Sequence, residues 1–279
     1  KPEYALITNI GTAHIGILGS RENIAKEKRK VFSYISENGY AFIPENDDYK
    51  DFAVENVKGN VVSFGYDVPA SKSGAEFVKE NGLFGIVFTL DGIEINLPVS
   101  GMYNYQNALG AVALAKVLGL SSEQIKNGLE SFQNIGGRME VRKAVTKNGK
   151  NIILVKDCYN ANPDSMTKAV ELCSDQDGKK VFVLGDMKEL GEKSLSAHKE
   201  IISLVKEKGI DAVAFVGCDF ASARDDKNPF GKYFDSVKSE GLAEFILSEV
   251  SENSVVLLKG SNSMKLGDIL PEILEGENL

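Results

Sequence analysis

Polar side chains that could bind a ligand follow an apolar segment in the second half of the chain. Ile152–Val155 is followed by KDCYNANPDS at 156–165. Here Asp157 could hold a ribose hydroxyl or a metal-bound water, while Asn160 and Asn162 offer amide groups suited to a peptide or a carboxylate. The same segment also predicts a helix start capped by Asp164 with Ser165 in the first turn. We expect both interpretations to hold.

Two further segments end in polar loops of this kind. GDMKELGE at 185–192 follows one apolar run, and KGSNSMK at 259–265 follows another. Lys259, the next backbone N–H groups and the Ser261 hydroxyl could together meet an anion at a helix start. Loops are commonly polar, but three that converge on one edge of a sheet favour a binding site.

The first half of the chain offers two more candidate sites. His14 lies in a Gly-rich loop after an apolar segment, although a lone histidine is more often structural than a ligand. Lys28 belongs to a basic run, for which a solvated helix face is the ordinary interpretation. Asn104 and Asn107 lie one helical turn apart and could read the edge of a base, or Asn104 could simply cap its helix.

Elements that alternate in type must position these residues. From residue 138 onward, short apolar strands alternate with amphipathic helices, which predicts a parallel sheet wound on both faces. Ligands of such sheets bind beyond the carboxyl ends of the strands. The expected strands are 152–155, 181–184, 212–216, 233–237 and 255–258, and the expected helices are 165–173, 195–208, 242–250 and 264–274.

The first half contains its own set of elements, and Gly136-Gly137 separates it from the second. We expect domains at 1–137 and 138–279, the first built on an incomplete parallel sheet. Predicted strands are 4–10, 39–44 and 61–66, with a hairpin at 84–99, and predicted helices are 23–36, 104–118 and one from a capping box at Ser121. A buried strand at residue 4 predicts that a preceding part of the protein is missing.

Composition bounds the function. The chain has 279 residues, 43% of them apolar, and a net charge of -8, which argues against a non-specific nucleic-acid partner. Two histidines cannot build a His-rich metal cage, and three separated cysteines predict reduced thiols. No apolar run approaches the ~18 residues of a membrane span. We expect a soluble, cytoplasmic monomer.

Taken together, seven segments resemble the Mur ligases, the ATP-dependent amide ligases of peptidoglycan precursor synthesis. They are TNIGTAHIGILGS at 8–20, IAKEKRKVF at 24–32, GMYNYQNALGAVALA at 101–115, GGRME at 136–140, DCYNANPDSM at 157–166, GDMKELGE at 185–192 and LLKGSNSM at 257–264. YNANP combined with GDMxELGE is the specific part. It resembles the members that add D-alanyl-D-alanine to UDP-N-acetylmuramoyl-tripeptide, which are the small-molecule substrates implied here.

The resemblance implies an α/β fold: a truncated central ATPase domain of the P-loop type, followed by a Rossmann-like domain with a mostly parallel sheet. It also implies ATP and Mg²⁺ as cofactors, and an acyl phosphate formed from the tripeptide carboxylate. The implied roles are as follows: His14 and a carbamylated Lys28 ligate magnesium; Asn104 and Asn107 contact adenine; Arg138 and Asp157 contact ATP; Asn160, Asn162, Lys259 and Ser261 lie near D-alanyl-D-alanine.

Departures from the family pattern set limits and leave alternatives open. GxxxxGK[ST] does not occur in the chain, and Asn262 stands where the family has arginine. We therefore expect that the chain alone does not turn over ATP. A sister ligase, a folylpolyglutamate synthase-like ligase and a non-catalytic ligand-binding remnant are the rival interpretations, although YNANP argues against the first two. A dehydrogenase is disfavoured because GxGxxG follows none of the predicted strands.

Overall fold

The computed structural model describes residues 2–12, 15–133 and 136–276. They form two compact units, Lys1–Gln133 and Asn134–Leu279, each with its own core. The described residues contain no helix with the length and apolar character that a membrane crossing requires.

The first unit combines two small sheets with helices. Its strands are β1 Tyr4–Leu6, β2 Tyr40–Pro44, β3 Asn60–Phe64, β4 Ala75–Glu80, β5 Ile86–Leu90 and β6 Ile93–Leu97. Its α-helices are α1 Ile15–Leu18, α2 Arg21–Lys28, α3 Lys50–Val54, α4 Ala70–Ser73, α5 Met102–Val117 and α6 Ser122–Glu130. Short 3₁₀ segments occupy Arg29–Tyr34 and Gly82–Phe84.

Strands β1, β2 and β3 form the predicted parallel sheet, in that order. The strand expected at 4–10 is shorter than predicted and ends at Leu6. The helix expected at 23–36 also differs, because its α-helical part ends at Lys28 and Arg29–Tyr34 continues as 3₁₀ turns. Lys28, at the end of α2, therefore contacts Asn9 in the loop that follows β1.

An antiparallel sheet of three strands accompanies the parallel one, and it contains the hairpin that was predicted at 84–99. The predicted hairpin is present: Leu90 pairs with Ile93 across Asp91-Gly92. Both turn residues have positive φ, 52° and 83°, as a type I′ turn requires. Strand β4 adds to this hairpin and was not predicted, since most of its residues are exposed and charged or mixed in character.

Helix α5 packs on both sheets of the first unit. Its buried residues include Tyr105, Leu109 and Val112, which join the core of this unit. Gly110 allows this close approach, since a Cβ there would lie 2.9 Å from the Phe64 ring. The capping box predicted at Ser121 is confirmed: its side chain accepts the Gln124 N–H and helix α6 follows.

The second unit is a six-stranded sheet covered by helices. Its strands are β7 Glu140–Val145, β8 Asn151–Asp157, β9 Lys180–Gly185, β10 Ala212–Val216, β11 Lys232–Phe234 and β12 Ser254–Lys259. Its α-helices are α7 Pro163–Ser174, α8 Ser194–Glu207, α9 Cys218–Ala223, α10 Leu242–Glu249 and α11 Leu270–Ile273. Short 3₁₀ segments lie at Gly191–Lys193, Asn262–Met264 and Leu266–Ile269.

The sheet order is β11-β10-β9-β12-β8-β7, and the five strands other than β7 run parallel. This confirms the mostly parallel sheet that was expected. Strand β7 is an antiparallel edge strand that was not predicted. The central strands are apolar and buried on both faces, and they therefore bring the ends of β8, β9 and β12 to one edge.

Two helix predictions in this unit need correction. Helix α7 is capped by Asn162, whose side chain accepts the Ser165 N–H, and Asp164 lies inside the first turn. The single helix expected at 264–274 is instead a series of short turns ending in α11. Lys265 with φ 51° separates the first two of them, which no continuous helix permits.

Candidate functional site

Asp157 and Lys259 face each other at the carboxyl ends of β8 and β12. The two residues are directly paired in the register of these parallel strands. Nζ of Lys259 lies 2.5 Å from Oδ2 of Asp157, and the side chains are 1% and 13% exposed. Nζ also approaches the carbonyl oxygen of Asn160, at 3.4 Å. The ammonium predicted to meet a ligand is therefore neutralised inside the protein.

The other oxygen of Asp157 holds the segment that leads into β7. Its Oδ1 accepts the Met139 N–H at 3.2 Å. Met139 has a φ of 44°, a conformation that non-glycine residues rarely adopt without support. The carboxylate of Asp157 thus joins β12 to this bend. Each carboxylate oxygen has two lone pairs, so a ribose hydroxyl could still donate to it.

The two asparagines of YNANP serve their own loop. Oδ1 of Asn160 accepts the neighbouring Ala161 N–H at 2.9 Å, and the residue is exposed. Oδ1 of Asn162 accepts the Ser165 N–H at 2.9 Å as the helix cap. The Nδ2 groups of both residues remain as potential donors to a carboxylate or a peptide oxygen. Cys158, between the strand and this loop, is kept as a thiol because burial raises its pKa to about 12.

Arg138 lies against the aromatic ring of this loop. Its guanidinium carbon is 3.9 Å from the centroid of the Tyr159 ring, within the range of a cation–π contact. Both side chains are exposed. The Tyr159 N–H donates to the carbonyl oxygen of Gly137 at 2.9 Å, which fixes the two backbones beside each other. Arg138 was predicted as a site residue, whereas Tyr159 was not.

Ser261 connects the loop after β12 with the loop after β9. Its hydroxyl oxygen accepts the Lys188 N–H at 2.9 Å, and its own N–H donates to the Asp186 carbonyl at 3.1 Å. Ser261 is buried, so its hydroxyl is engaged in loop closure. The ammonium of Lys188 lies 2.8 Å from the carboxylates of both Asp186 and Asp219.

A possible cation site was missed at the ends of β9 and β10. Ligand atoms of Asp186, His198 and Asp219 lie within 4.8 Å of one another. However, Nε2 of His198 accepts the Met187 N–H at 3.0 Å and Nδ1 lies 2.7 Å from the Ser194 carbonyl oxygen. A neutral histidine with the proton on Nδ1 satisfies both contacts, and Lys188 already supplies the positive charge. The donor set does not fit a metal ion.

In the first unit, Lys28 differs from the basic residues around it. Lys26 pairs with Glu22 within α2, and Lys30, in the 3₁₀ segment that follows, pairs with Glu27; both pairs are exposed, as the ordinary interpretation predicts. Lys28 instead turns to the loop after β1, where its Nζ donates to the Asn9 carbonyl oxygen at 2.6 Å. Burial lowers the pKa of the Lys28 ammonium, and the charge of Asp47 opposes this shift.

The loop after β2 stabilises the loop after β1. Oδ2 of Asp47 accepts the Ile10 N–H at 2.7 Å, while Nη2 of Arg21 donates to the Ile10 carbonyl at 3.0 Å. Both contacts fix the start of the Gly-rich loop that contains His14. The predicted site residue His14 itself lies outside the described residues. Neither Asp47 nor Arg21 was predicted from the sequence. The polar residues Asn46 and Asp47 do follow the strand predicted at 39–44, and this pattern could have identified Asp47.

Asn104 and Asn107 both lie in α5, as predicted, but Asn104 does not cap it. Gly101 occupies the cap position with φ 90°, and Nδ2 of Asn104 donates to the Ser100 carbonyl at 2.7 Å. Asn107 is exposed. Gln106, which is buried, was not predicted from the sequence. Its Nε2 donates to Oδ1 of Asn46 at 3.1 Å, and its Oε1 accepts the Tyr66 N–H at 3.3 Å.

The predicted residues thus fall into separate groups. Asp157, Asn160, Lys259 and Arg138 are linked at one edge of the second unit by contacts through neighbouring residues, and Asn162 follows in the same loop. Lys28 contacts the loop after β1, whereas Asn104 and Asn107 lie on α5 of the same unit. Parallel sheets with polar loops beyond their carboxyl ends are the arrangement in which α/β proteins commonly bind ligands.

Comparison with known proteins makes the assignment specific. The Mur ligase middle domain matches residues 1–115, and the Mur ligase, glutamate ligase domain matches residues 137–262. The two models follow each other along nearly the whole chain. The chain belongs to the Mur ligase family.

Individual relatives carry a more specific name. The UDP-N-acetylmuramoyl-tripeptide–D-alanyl-D-alanine ligase of Treponema pallidum is 36% identical over 97% of the chain, and that of Escherichia coli is 31% identical over 99%. A crystal structure of MurF from Acinetobacter baumannii superposes with a TM-score of 0.81 at 30% identity, covering 97% of the chain and 59% of that structure. The chain spans 58% of the Treponema relative and 61% of the Escherichia relative.

Proposed function

We propose that the protein contributes to an ATP-dependent ligase that joins D-alanyl-D-alanine to UDP-N-acetylmuramoyl-tripeptide. The observation that carries this proposal is the match along 97% of the chain to a relative named for that reaction. The YNANP and GDMKELGE loops at one edge of the second sheet support it. In this reaction the tripeptide carboxylate attacks the γ-phosphate of ATP and ADP leaves, which gives an acyl phosphate. The amine of the dipeptide then attacks the acyl carbon, and inorganic phosphate leaves as the amide forms.

The two predicted domains divide this work. Residues 1–137 are proposed to be part of the central ATP-binding domain, with Asn104 and Asn107 toward the adenine. Residues 138–279 are proposed to be the domain that receives the amino substrate. Arg138, held at the start of this second domain, would place a guanidinium against the ATP phosphates, where both chemical steps build negative charge.

Lys28, in carbamylated form, is proposed as a magnesium ligand, and its surroundings suit this role. Carbamylation requires a neutral amine, and burial lowers the pKa of Lys28 in that direction. The carbamate would place oxygen ligands at the loop after β1, and hard oxygen donors are what Mg²⁺ prefers. His14 is proposed as a second ligand. Magnesium bound there would offset the charge that develops on the phosphates.

The amino-substrate residues are proposed to act in two ways. The Nδ2 groups of Asn160 and Asn162 would donate to the carboxylate or peptide oxygen of D-alanyl-D-alanine. Lys259 and Ser261 would fix the loops on which these donors stand, because both already have partners inside the protein. The protein would work as a monomer in the cytoplasm, where its small-molecule substrates are made.

A phosphate-release assay with two proteins tests the function. One protein is the 279-residue chain, and the other is the joined ligase, meaning this chain placed behind the phosphate-loop segment and N-terminal domain of a relative. We expect phosphate release only from the joined ligase, and only with the tripeptide nucleotide, ATP, Mg²⁺ and D-alanyl-D-alanine together. Release with glutamate or a diamino acid in place of the dipeptide would support a sister or folylpolyglutamate-type ligase instead. Robust turnover by the chain alone would contradict the expected need for a phosphate loop.

A further inference from the structure

We propose that Tyr159 is a positioning residue that holds Arg138 in place through its aromatic ring. The inference rests on the proposed function, in which Arg138 contacts ATP. It assigns a role to Tyr159 that differs from that of its neighbours in YNANP, which face the amino substrate in the proposal above. The aromatic ring, and not the hydroxyl, is the group that acts.

The first support is the geometry of the contact. The guanidinium carbon of Arg138 lies 3.9 Å from the Tyr159 ring centroid, close enough for stacking and cation–π attraction. Among the described residues Arg138 forms no ion pair, whereas Arg21, Arg29 and Arg224 each pair with a carboxylate. The ring therefore orients the guanidinium while leaving its positive charge and its N–H donors available for a phosphate.

The second support is the fixed backbone on both sides of the stack. The Tyr159 N–H donates to the Gly137 carbonyl at 2.9 Å, directly before Arg138. Directly after Arg138, the Met139 N–H donates to Oδ1 of Asp157, which is itself paired with the buried Lys259. A long arginine side chain on an exposed bend would otherwise sample many rotamers. The ring removes part of this freedom before a nucleotide binds.

The kinetic test uses the joined ligase and separates the two substrates. Tyr159→Phe keeps the ring, so we expect its KM for ATP to stay within about twofold of the unchanged protein. Tyr159→Leu removes the ring, and we expect KM for ATP to rise about two- to fivefold, the range of an exposed cation–π contact. KM for D-alanyl-D-alanine should not change. An increase in the dipeptide KM alone would overturn the proposal and place Tyr159 against the amino substrate.

A double-variant comparison shows whether the effect passes through Arg138. Arg138→Ala should raise KM for ATP, and adding Tyr159→Leu to it should cause no further increase. A full additional increase would overturn the positioning role. If Arg138→Ala leaves KM for ATP unchanged in an active ligase, Tyr159 has nothing to position and the inference fails. Absence of any ligation of D-alanyl-D-alanine by the joined ligase would instead refute the proposed function.

A spectroscopic test needs only the 279-residue chain. The chain contains no tryptophan, so Tyr159→Trp provides a single reporter at this position. The indole should stack with Arg138 and be shielded on one face. We expect a larger acrylamide quenching constant when Arg138→Ala is added to this variant. An equal quenching constant in both variants, with unchanged circular dichroism, would show that the stack does not form in solution.

Discussion

Replacing one member of the Asp157–Lys259 pair should destabilise the second unit strongly. Lys259 is 1% exposed, and its ammonium has Asp157 at 2.5 Å and the Asn160 carbonyl at 3.4 Å as partners. In Asp157→Asn the ammonium would remain buried without a counter-charge. Breaking a buried ion pair in this way costs about 3–5 kcal/mol. In Lys259→Met the carboxylate of Asp157 still accepts the Met139 N–H, and Asp157 is the less buried of the two partners. We therefore expect this variant to lose stability at the lower end of that range.

Hydrogen exchange of the amides in β8 and β12, measured as urea is raised, reports the free energy of unfolding of this sheet. The matched control is Asp226→Asn, which removes the carboxylate of an exposed pair with Arg224, where Asp226 is 77% exposed. This control should change the free energy of unfolding by less than about 0.5 kcal/mol. The double variant Asp157→Asn/Lys259→Met should lose less than the two single losses added together. A loss below about 1 kcal/mol in Asp157→Asn would refute the reasoning.

Two further outcomes are expected for the same chain. Gly217→Ala should lower the thermal midpoint of unfolding far more than Gly241→Ala. Both positions have positive φ, but only at Gly217 does the added Cβ meet a buried carboxylate. Equal decreases of the midpoint in the two variants would contradict this. Hydrogen bonds from the Ser122 hydroxyl and the Lys116 ammonium lower the pKa of Asp91, so its stabilising effect is present above its unfolded pKa of 3.8 and is lost as the pH falls through the lower folded pKa. Urea midpoints of Asp91→Asn should therefore show a smaller decrease below about pH 4 than those of the unchanged chain, and parallel curves would contradict this.

Apolar runs and turn residues made most of the fold predictable. The central strands of the second sheet are buried on both faces. Their sequences are therefore almost continuously apolar and can be recognised as buried strands. Asp91-Gly92 and the pair Ser121 and Gln124 are local signals whose geometry depends on few neighbours. Strands β4 and β7 were missed because they lie at sheet edges and carry charged residues, which leaves no apolar pattern to detect.

The location of the candidate site in the second unit was predictable, whereas its internal contacts were not. Parallel topology places the residues after β8, β9 and β12 at one edge whatever their identity. The bond between Asp157 and Lys259, however, joins residues 102 positions apart, and it depends on the register of two strands. Asn162 could be recognised as part of a helix start. It could not be recognised as the cap itself, because Asp164 is an equally suitable cap residue in sequence.

The partners of each polar group indicate which predicted residues remain available to a ligand. Lys259 is neutralised by Asp157, and Lys188 by Asp186 and Asp219, so these cations contribute little field beyond the protein. Arg138 rests on a neutral ring and keeps its full charge at the same edge. Because a bound phosphate gains most from a charge that is oriented but not already paired, Arg138 fits the phosphate contact that we propose for it better than Lys259 or Lys188 would.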